Sequence, residues 1–352
     1  MTTTFGSLDA LLSHGFDTVI DVRSPAEYAE DHIPGAINLP ALDNDERARV
    51  GTIYVQEAAF KARRIGAALV ARNLAAHLEG PLRDKPGGWR PLVYCWRGGQ
   101  RSGAVTSWLT QVGWRAERLQ GGYQTYRSLV HDALYQQPLP HRLILIDGNT
   151  GTAKTDILHR LARHGVQVLD LEGLANHRGS LLGSLPGGQP PQKWFETQIA
   201  RQLAGFDPAR PVLVEAESSK VGARIVPPSL WSAMKAAPRI EVEAPAAARA
   251  AYLAQAYHDV LADRAELAQK LAPLRRLRGG RVDHWLKVWD SGDMAAVTAL
   301  LMEEHYDPTY RSSRAKHAAT VLHRFPVAGL SDEDRDGLAG RIATWLDNFN
   351  ET

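Results

Sequence analysis

The 352-residue sequence predicts an α/β protein: two units built on parallel, doubly wound sheets, followed by a helical C-terminal region. Three observations lead there. Short apolar runs alternate with stretches of helical period, the βα rhythm of a parallel sheet. A Pro-containing polar stretch, QQPLPH at 136–141, has neither period and separates two such sets. Beyond about residue 245 the text turns to Ala, Leu, Arg and other charged residues at helical spacing. The resulting segments are 1–137, 138–245 and 246–352.

Taken in order, DTVIDV (17–22) and PLVYCW (91–96) read as buried strands, and SGAVTSWLTQVG (102–113) as a helix ending near Gly113. RLILIDG (142–148) opens the second unit. KTDILHRLARHG, VQVLDL and PVLVEAES continue it as helix, strand and, after a long insert holding a helix, another strand. EAPAAARAAYLAQA is a helix former starting after Pro245.

Composition bounds the function. With 44% apolar and 23% charged residues the chain has the balance of a soluble globular protein. Its start lacks a basic region followed by a long apolar core, and no run approaches 18 apolar residues, so export and membrane spanning are not expected and a cytoplasmic setting is. The net charge of +2 is too small to indicate nucleic acid by itself, so that case rests on local clusters.

Cys95 is the one cysteine, which excludes an internal disulfide and leaves packing or chemistry. It sits in VYCWRGGQRSG, at a strand tip before a Gly-rich turn into a helix. A thiol so placed faces backbone N–H groups and the positive helix end, a cradle for a thiolate or an anionic adduct; Arg97 and Arg101 add charge. The competing reading is a buried structural cysteine. Trp96, Gly98, Gly99, Gln100 and Ser102 complete the loop.

In LILIDGNTGTAKTDIL (143–158) the order of strand, Gly turn, Lys-Thr and helix is that of a P-loop, whose amides and lysine wrap a di- or triphosphate. Gly148, Lys154 and Thr155 meet the pattern, with Asn149, Thr150, Gly151 and Thr152 between them. Ala153 stands where a second glycine belongs; if that position needs positive φ, its Cβ costs roughly 1 kcal/mol. PVLVEAESSKVG (211–222) would deliver Glu215 and Glu217 to the sheet edge, either for Mg2+ or as solvated carboxylates. The Gly- and Pro-rich stretch 170–196 has the length of a functional loop, with His177, Arg178 and Ser180 as contacts.

Between Arg264 and Lys287 seven basic residues face two acidic ones. Arg275, Arg276, Arg278 and Arg281 would neutralise phosphates and Trp285 would stack on an unpaired base, as in an anticodon loop, unless this is simply a solvated helix face. KARRIGAALVAR (61–72) is a weaker second patch.

DVRSPAEYAEDHIPGAINLP (21–40), the Cys95 loop and LQGGYQTYR (119–127) closely resemble the rhodanese domain over residues 1 to about 135. The resemblance gives Cys95 the catalytic, chalcogen-accepting position. Asp21, Arg23 and His32 occupy motif positions, with bracing of the loop as their plainer role. Cys95 to Arg101 reads C-x5-R, a seven-residue loop like that of the rhodanese-fold cell-cycle phosphatases rather than the six of ordinary rhodaneses. A wider ring of N–H donors suits phosphate or selenophosphate.

The series YCWRGGQRSG, GNTGTAKT, LEGLANHRGS, VEAESSKVG and HYDPTY resembles the bacterial tRNA 2-selenouridine synthases over nearly the whole chain. The resemblance implies conversion of wobble 2-thiouridine to 2-selenouridine through an S-geranyl intermediate. Geranyl diphosphate and selenophosphate would be substrates, tRNA the partner and a selenophosphate-supplying protein a further contact, with no tightly bound cofactor. It also marks Gly66, in RRIG, which close helix packing would explain equally well. The family's loop usually carries glycine at the position of Ala153. Two rivals remain open: a C-x5-R phosphatase or sulfurtransferase fused to a nucleotide-binding domain, and a non-enzymatic RNA-binding or chalcogen-carrier protein with a defunct P-loop, for which Ala153 is the only sequence support.

Overall fold

The computed structural model describes residues 1–309 and 320–350, apart from the side chains of 277, 278 and 350. Tyr310 of the HYDPTY motif and the side chain of Arg278 therefore lie outside the described residues. The chain forms two compact units, Met1–Gln137 with Pro191–Ala204, and Pro138–Pro190 with Gly205–Thr352. No helix among the described residues is long and apolar enough to cross a membrane.

The first unit holds a five-stranded sheet of β1 (Thr2–Thr3), β2 (Thr18–Asp21), β3 (Ile37–Asn38), β4 (Pro91–Tyr94) and β5 (Glu117–Leu119) in the order β1-β5-β4-β2-β3. Every pair is parallel. The connections around it include α1 (Leu8–Leu12), α2 (Pro25–Glu30), α3 (Asn44–Gln56), α4 (Ala59–Glu79), α5 (Gln100–Val112) and α6 (Gly122–His131). β2 and β4 are neighbours whose onward connections run to opposite sides of the sheet, so the crevice at their C-terminal ends is the switch point where ligands of such sheets bind. Asp21 and Cys95 stand at these two ends. Buried Ile20, Val22, Val93, Val105 and Leu109 pack between the sheet and its helices.

The second unit has the parallel order β12-β11-β6-β8-β7, from β6 (Leu143–Asp147), β7 (Gln167–Leu169), β8 (Val212–Glu215), β11 (Arg239–Glu243) and β12 (Val321–Pro326). A small antiparallel pair, β9 (Lys220–Val221) and β10 (Arg224–Ile225), lies outside it. Its first helices are α7 (Lys154–Arg163) and α8 (Leu171–Leu174). After α9 (Gln192–Ala204) come α10 (Pro228–Ala236), α11 (Ala246–Ala256), α12 (His258–Leu261), α13 (Arg264–Arg278), α14 (Gly280–Asp290), α15 (Met294–Leu301) and α16 (Asp332–Asn350). β6 sits between β8 and β11, which puts the loop after it at this sheet's own switch point.

Two features depart from the sequence reading. The tail beyond 245 is helical only as far as Thr309 among the described residues: β12 pairs with β11 in parallel and α16 packs on α7. Leu338, Ile342 and Leu346 meet Ile157, Leu158 and Leu161 there, so the tail completes the phosphate-loop sheet instead of standing apart as 246–352. An edge strand buried on one side offers too short an apolar run to be read from sequence. Helix α9 lies in the middle of the expected 138–245 domain yet packs against α1 and α6 in the first unit. Its Phe195, Ile199 and Leu203 form one buried face.

Candidate functional site

Each unit carries a loop between a central strand and a helix N-terminus. In the first, Cys95 follows β4 directly. The Cys95 carbonyl accepts the Tyr123 N–H at 2.8 Å and the Trp96 carbonyl that of Gln124 at 3.1 Å, so α6 fastens the start of the loop. That approach demands glycine at 122: φ is +62°, and a Cβ would lie 2.3 Å from the Cys95 carbonyl oxygen. The sulfur forms the floor of the loop. Only 4% of Cys95 is exposed, and the Ser102 hydroxyl donates to Sγ at 3.3 Å. Gly99 turns the chain into α5, whose thirteen residues begin at Gln100 with unpaired first-turn N–H groups expected there.

The charges around this loop differ from the expectation that Arg97 and Arg101 both face it. Arg97 and Gly98 are exposed. Arg101 is not a free cation, because Glu27 of α2 takes both its nitrogens at 2.7 and 3.2 Å. Burial alone would raise the Glu27 carboxyl, but the Arg101 bonds and charge outweigh it, with help from Arg47, and hold it at about 2. Arg118, which no motif marks, reaches the loop from β5: a Cβ at Gly99 would fall 2.6 Å from its Nη1, and one at Gly103 3.1 Å. Parallel pairing of β5 beside β4 brings it there, and only the sheet order reveals it.

Asp21 and Arg23 form a buried bidentate pair at 2.6 to 3.1 Å. The guanidinium also donates to the Asp31 carbonyl at 2.6 Å and lies over the Tyr123 ring at 3.9 Å, so both residues brace the loop's surroundings. His32 is stacked between Tyr28 at 3.8 Å and Trp194 of α9 at 4.1 Å, and burial lowers its pKa. A buried polar chain continues from Tyr123 to Asp31 at 2.7 Å, then to Arg127, which pairs with Glu196 of α9. Tyr135 donates to Glu196 at 2.8 Å. Gly66 is buried in α4 facing α3, its pro-Cβ position 3.4 Å from Val50 Cγ1, an ordinary contact distance, so packing alone does not require glycine there.

In the second unit, residues 148–155 form the loop between β6 and α7. Gly148 N–H is held by Asp147 at 2.7 Å, and the Lys154 ammonium folds back onto the Gly148 carbonyl at 3.0 Å. Thr150 carbonyl and Asn149 carbonyl are tied to Arg249 at 3.0 Å and to the Thr152 hydroxyl at 2.9 Å. Gly151 presses its backbone against Leu253. Ala153 does adopt the left-handed conformation, with φ +60° and ψ +31°. The position thus asks for glycine and carries a Cβ.

Above the loop opens a cavity of about 740 Å³. Lys154, Thr155, His159, Glu172, Arg178 and Glu217 supply its polar wall, and Trp231, Met234, Tyr252, Leu253, Ala256 and Tyr257 an apolar one. Ser180 also lines it and bonds Tyr257 Oη at 2.9 Å, while Arg178 is clamped by Asp259 at 2.9 and 3.1 Å. His177, expected here, does not line the cavity; it bridges to Ser184 through its backbone, and burial lowers its pKa.

Glu172 was not singled out by the sequence reading, yet the Thr155 hydroxyl donates to its Oε2 at 2.9 Å. Burial, and then the neighbouring Glu217 charge, push it up to about 8; burial and the surrounding carboxylates raise Glu215, and burial raises Glu217. Gly179 has φ +64°, and a Cβ there would meet the Glu172 and Glu217 carboxylates at 2.1 and 2.8 Å. No group of three His, Cys, Asp or Glu among the described residues has the arrangement of a metal cage.

The basic segment differs in part from the expected stacking surface. Trp285 is fully buried in the core of α13, α14 and α15, its indole N–H donating to Glu304 at 2.9 Å, and so offers no stacking surface. The helical repeat that placed it beside the arginines also turns it inward. Arg275 pairs with Asp283 at 2.8 Å, and Arg276 and Arg281 are exposed.

Residues 4–129 match the rhodanese-like domain, and residues 141–278 the tRNA 2-selenouridine synthase AAA domain. The tRNA 2-selenouridine synthase of Cupriavidus pinatubonensis is 32% identical over 89% of this chain and 93% of its own. That of Hahella chejuensis is 32% identical over 89% and 90%, and that of Salmonella arizonae 32% over 93% and 95%. With both domain types in this order and relatives alike from end to end, the chain belongs to the tRNA 2-selenouridine synthase family.

Proposed function

We propose that this protein is a cytoplasmic enzyme that converts wobble 2-thiouridine of tRNA to 2-selenouridine in two steps, using geranyl diphosphate and then selenophosphate. The observation that carries the reading is the pair of loops, each running from a central strand into a helix N-terminus at the switch point of its own sheet, where anions are commonly bound. A thiocarbonyl sulfur leaves poorly. Attack of that sulfur on geranyl C1, with departure of diphosphate and loss of the N3 proton, gives a thioimidate carbon. Selenium of selenophosphate then attacks that carbon, geranylthiolate leaves, and water cleaves the Se–P bond.

The cavity supports the first step. Lys154 would release Gly148 to meet the diphosphate, where negative charge develops, and the aromatic and aliphatic wall suits a prenyl chain. Were Mg2+ to bind, the Thr155 hydroxyl and the Glu172 carboxylate would be the side chains to hold it, and it would supply charge neutralisation for the departing diphosphate. The Cys95 loop, with Arg97 and Arg118 at its rim, would hold selenophosphate. Its seven residues and the Ser102 bond to Sγ support a ligand seated above the thiol.

The test is incubation of the protein with 2-thiouridine tRNA, geranyl diphosphate and selenophosphate, followed by digestion and mass spectrometry. Cys95→Ala is expected to block selenation and spare geranylation. Lys154→Ala should slow geranylation by roughly 10²–10³-fold, the usual cost of removing a group that stabilises developing charge. Equal loss of both steps in both variants would refute this division. Hydrolysis of an aryl phosphate that disappears in Cys95→Ser would favour the phosphatase instead.

A further inference from the structure

Burial of Trp285 leaves the basic helices without the aromatic partner that unpaired bases use. Such a partner exists in the first unit. Tyr54, Val55 and Phe60 are 57, 83 and 76% exposed and fall within seven consecutive positions, at the turn from α3 to α4. Isolated exposed apolar side chains are ordinary, but three at one turn beside cations are not.

The cations lie on the same helix faces. Arg63 and Arg64 follow Phe60 by three and four residues, one turn along α4, and both are exposed. Arg47 precedes Tyr54 by seven residues on α3, and its Nη1 lies 3.0 Å from where a Gly51 Cβ would be, so its guanidinium runs along the face that leads to Tyr54. The nearby carboxylate, Glu57, is taken by Lys61 at 2.5 Å. The surface also leads toward the thiol loop. Asn44 at the start of α3 accepts from Ala26 N–H at 3.0 Å, and Arg47 acts electrostatically on Glu27, the partner of Arg101.

We infer that the α3–α4 turn, through Tyr54, Phe60, Arg47, Arg63 and Arg64, is a contact surface for unpaired nucleotides of tRNA flanking the one presented to the Cys95 loop. This rests on the proposed reading that tRNA is the substrate. Aromatic faces accept any base, and exposed guanidiniums neutralise the phosphates between them, so the surface binds single-stranded RNA with little sequence preference.

Binding of a fluorescent tRNA and of its isolated anticodon stem-loop to the full chain, by anisotropy at two salt concentrations, tests this. Tyr54→Ala/Phe60→Ala should weaken binding of both RNAs by at least about tenfold with little change in salt dependence, as expected for lost stacking. Arg63→Gln/Arg64→Gln should weaken binding and flatten the salt slope by about 1 to 2. Retained stabilisation by pyrophosphate and an unchanged circular dichroism spectrum establish that the variants fold. Unaltered RNA affinity in the aromatic double variant overturns the inference, as does a change confined to oligomeric state, which would mark a protein contact. If the unsubstituted chain binds no tRNA, the proposed function itself fails; if it binds and these substitutions do nothing, only this surface does.

Discussion

Ala153 shows how a single Cβ bears on a site. The left-handed conformation costs a non-glycine residue about 1–2 kcal/mol, and the loop holds it there through the bonds that fix Gly148, Asn149 and Thr150. The departure from the loop pattern was visible in the sequence; that the conformation is still adopted was not. The carboxylates opposite Thr155 supply the second residue-scale argument. Burial and the neighbouring Glu217 charge push Glu172 up to about 8 in the folded chain from an ordinary value near 4.5, so the native state binds more protons than the unfolded one between those values. Stability from this group is complete below about pH 4.5 and is lost as pH rises through 8. Glu172→Gln should therefore flatten the fall in melting temperature between pH 6 and 9 and raise it at pH 8.5. Thermal melts across that range check this; a variant that tracks the parent at every pH would contradict it.

At the scale of elements, the side a helix presents decided more than its composition. The segment of helix α14 has helical spacing and basic residues, but Trp285 turns toward α13 and α15. Trp285→Ala is expected to cost about 3–5 kcal/mol by opening a cavity, while Trp285→Phe, which keeps most of the volume, should leave tRNA affinity unchanged. Denaturant melts and RNA binding separate the two roles, since a stacking tryptophan would lose affinity in Trp285→Ala with little change in stability. Helix α9 makes a related point. Its sequence neighbours belong to the second unit, but its buried face and the Glu196 network with Arg127 and Tyr135 belong to the first. The insert of residues 170–190 that lines the cavity with Glu172, Arg178 and Ser180 is thus covalently continuous with a helix of the cysteine unit.

For the whole molecule, the two units have separate cores, each with its own sheet. A ligand that binds one folded unit stabilises it by mass action, about 2.7 kcal/mol at a hundred times its Kd. Inorganic pyrophosphate should therefore raise the melting of the second unit, an effect removed by Lys154→Ala and kept in Cys95→Ala. Scanning calorimetry with and without pyrophosphate reads this out, and stabilisation that survives Lys154→Ala would place the anion elsewhere.

The sequence by itself determined the βα order of both units, the two loops and the residues in them, because strand runs, Gly turns and helix starts are local signals set by backbone sterics and hydrophobic period. It also carried the family. Only tertiary structure decided that Arg101 is neutralised by Glu27, that Arg118 and Glu172 join the loops, that Trp285 is core and that β12 closes the second sheet. Those facts depend on which separate elements become neighbours, and contacts such as Thr155 to Glu172, 17 residues apart, and Glu27 to Arg101, 74 apart, leave no mark in a window of ten.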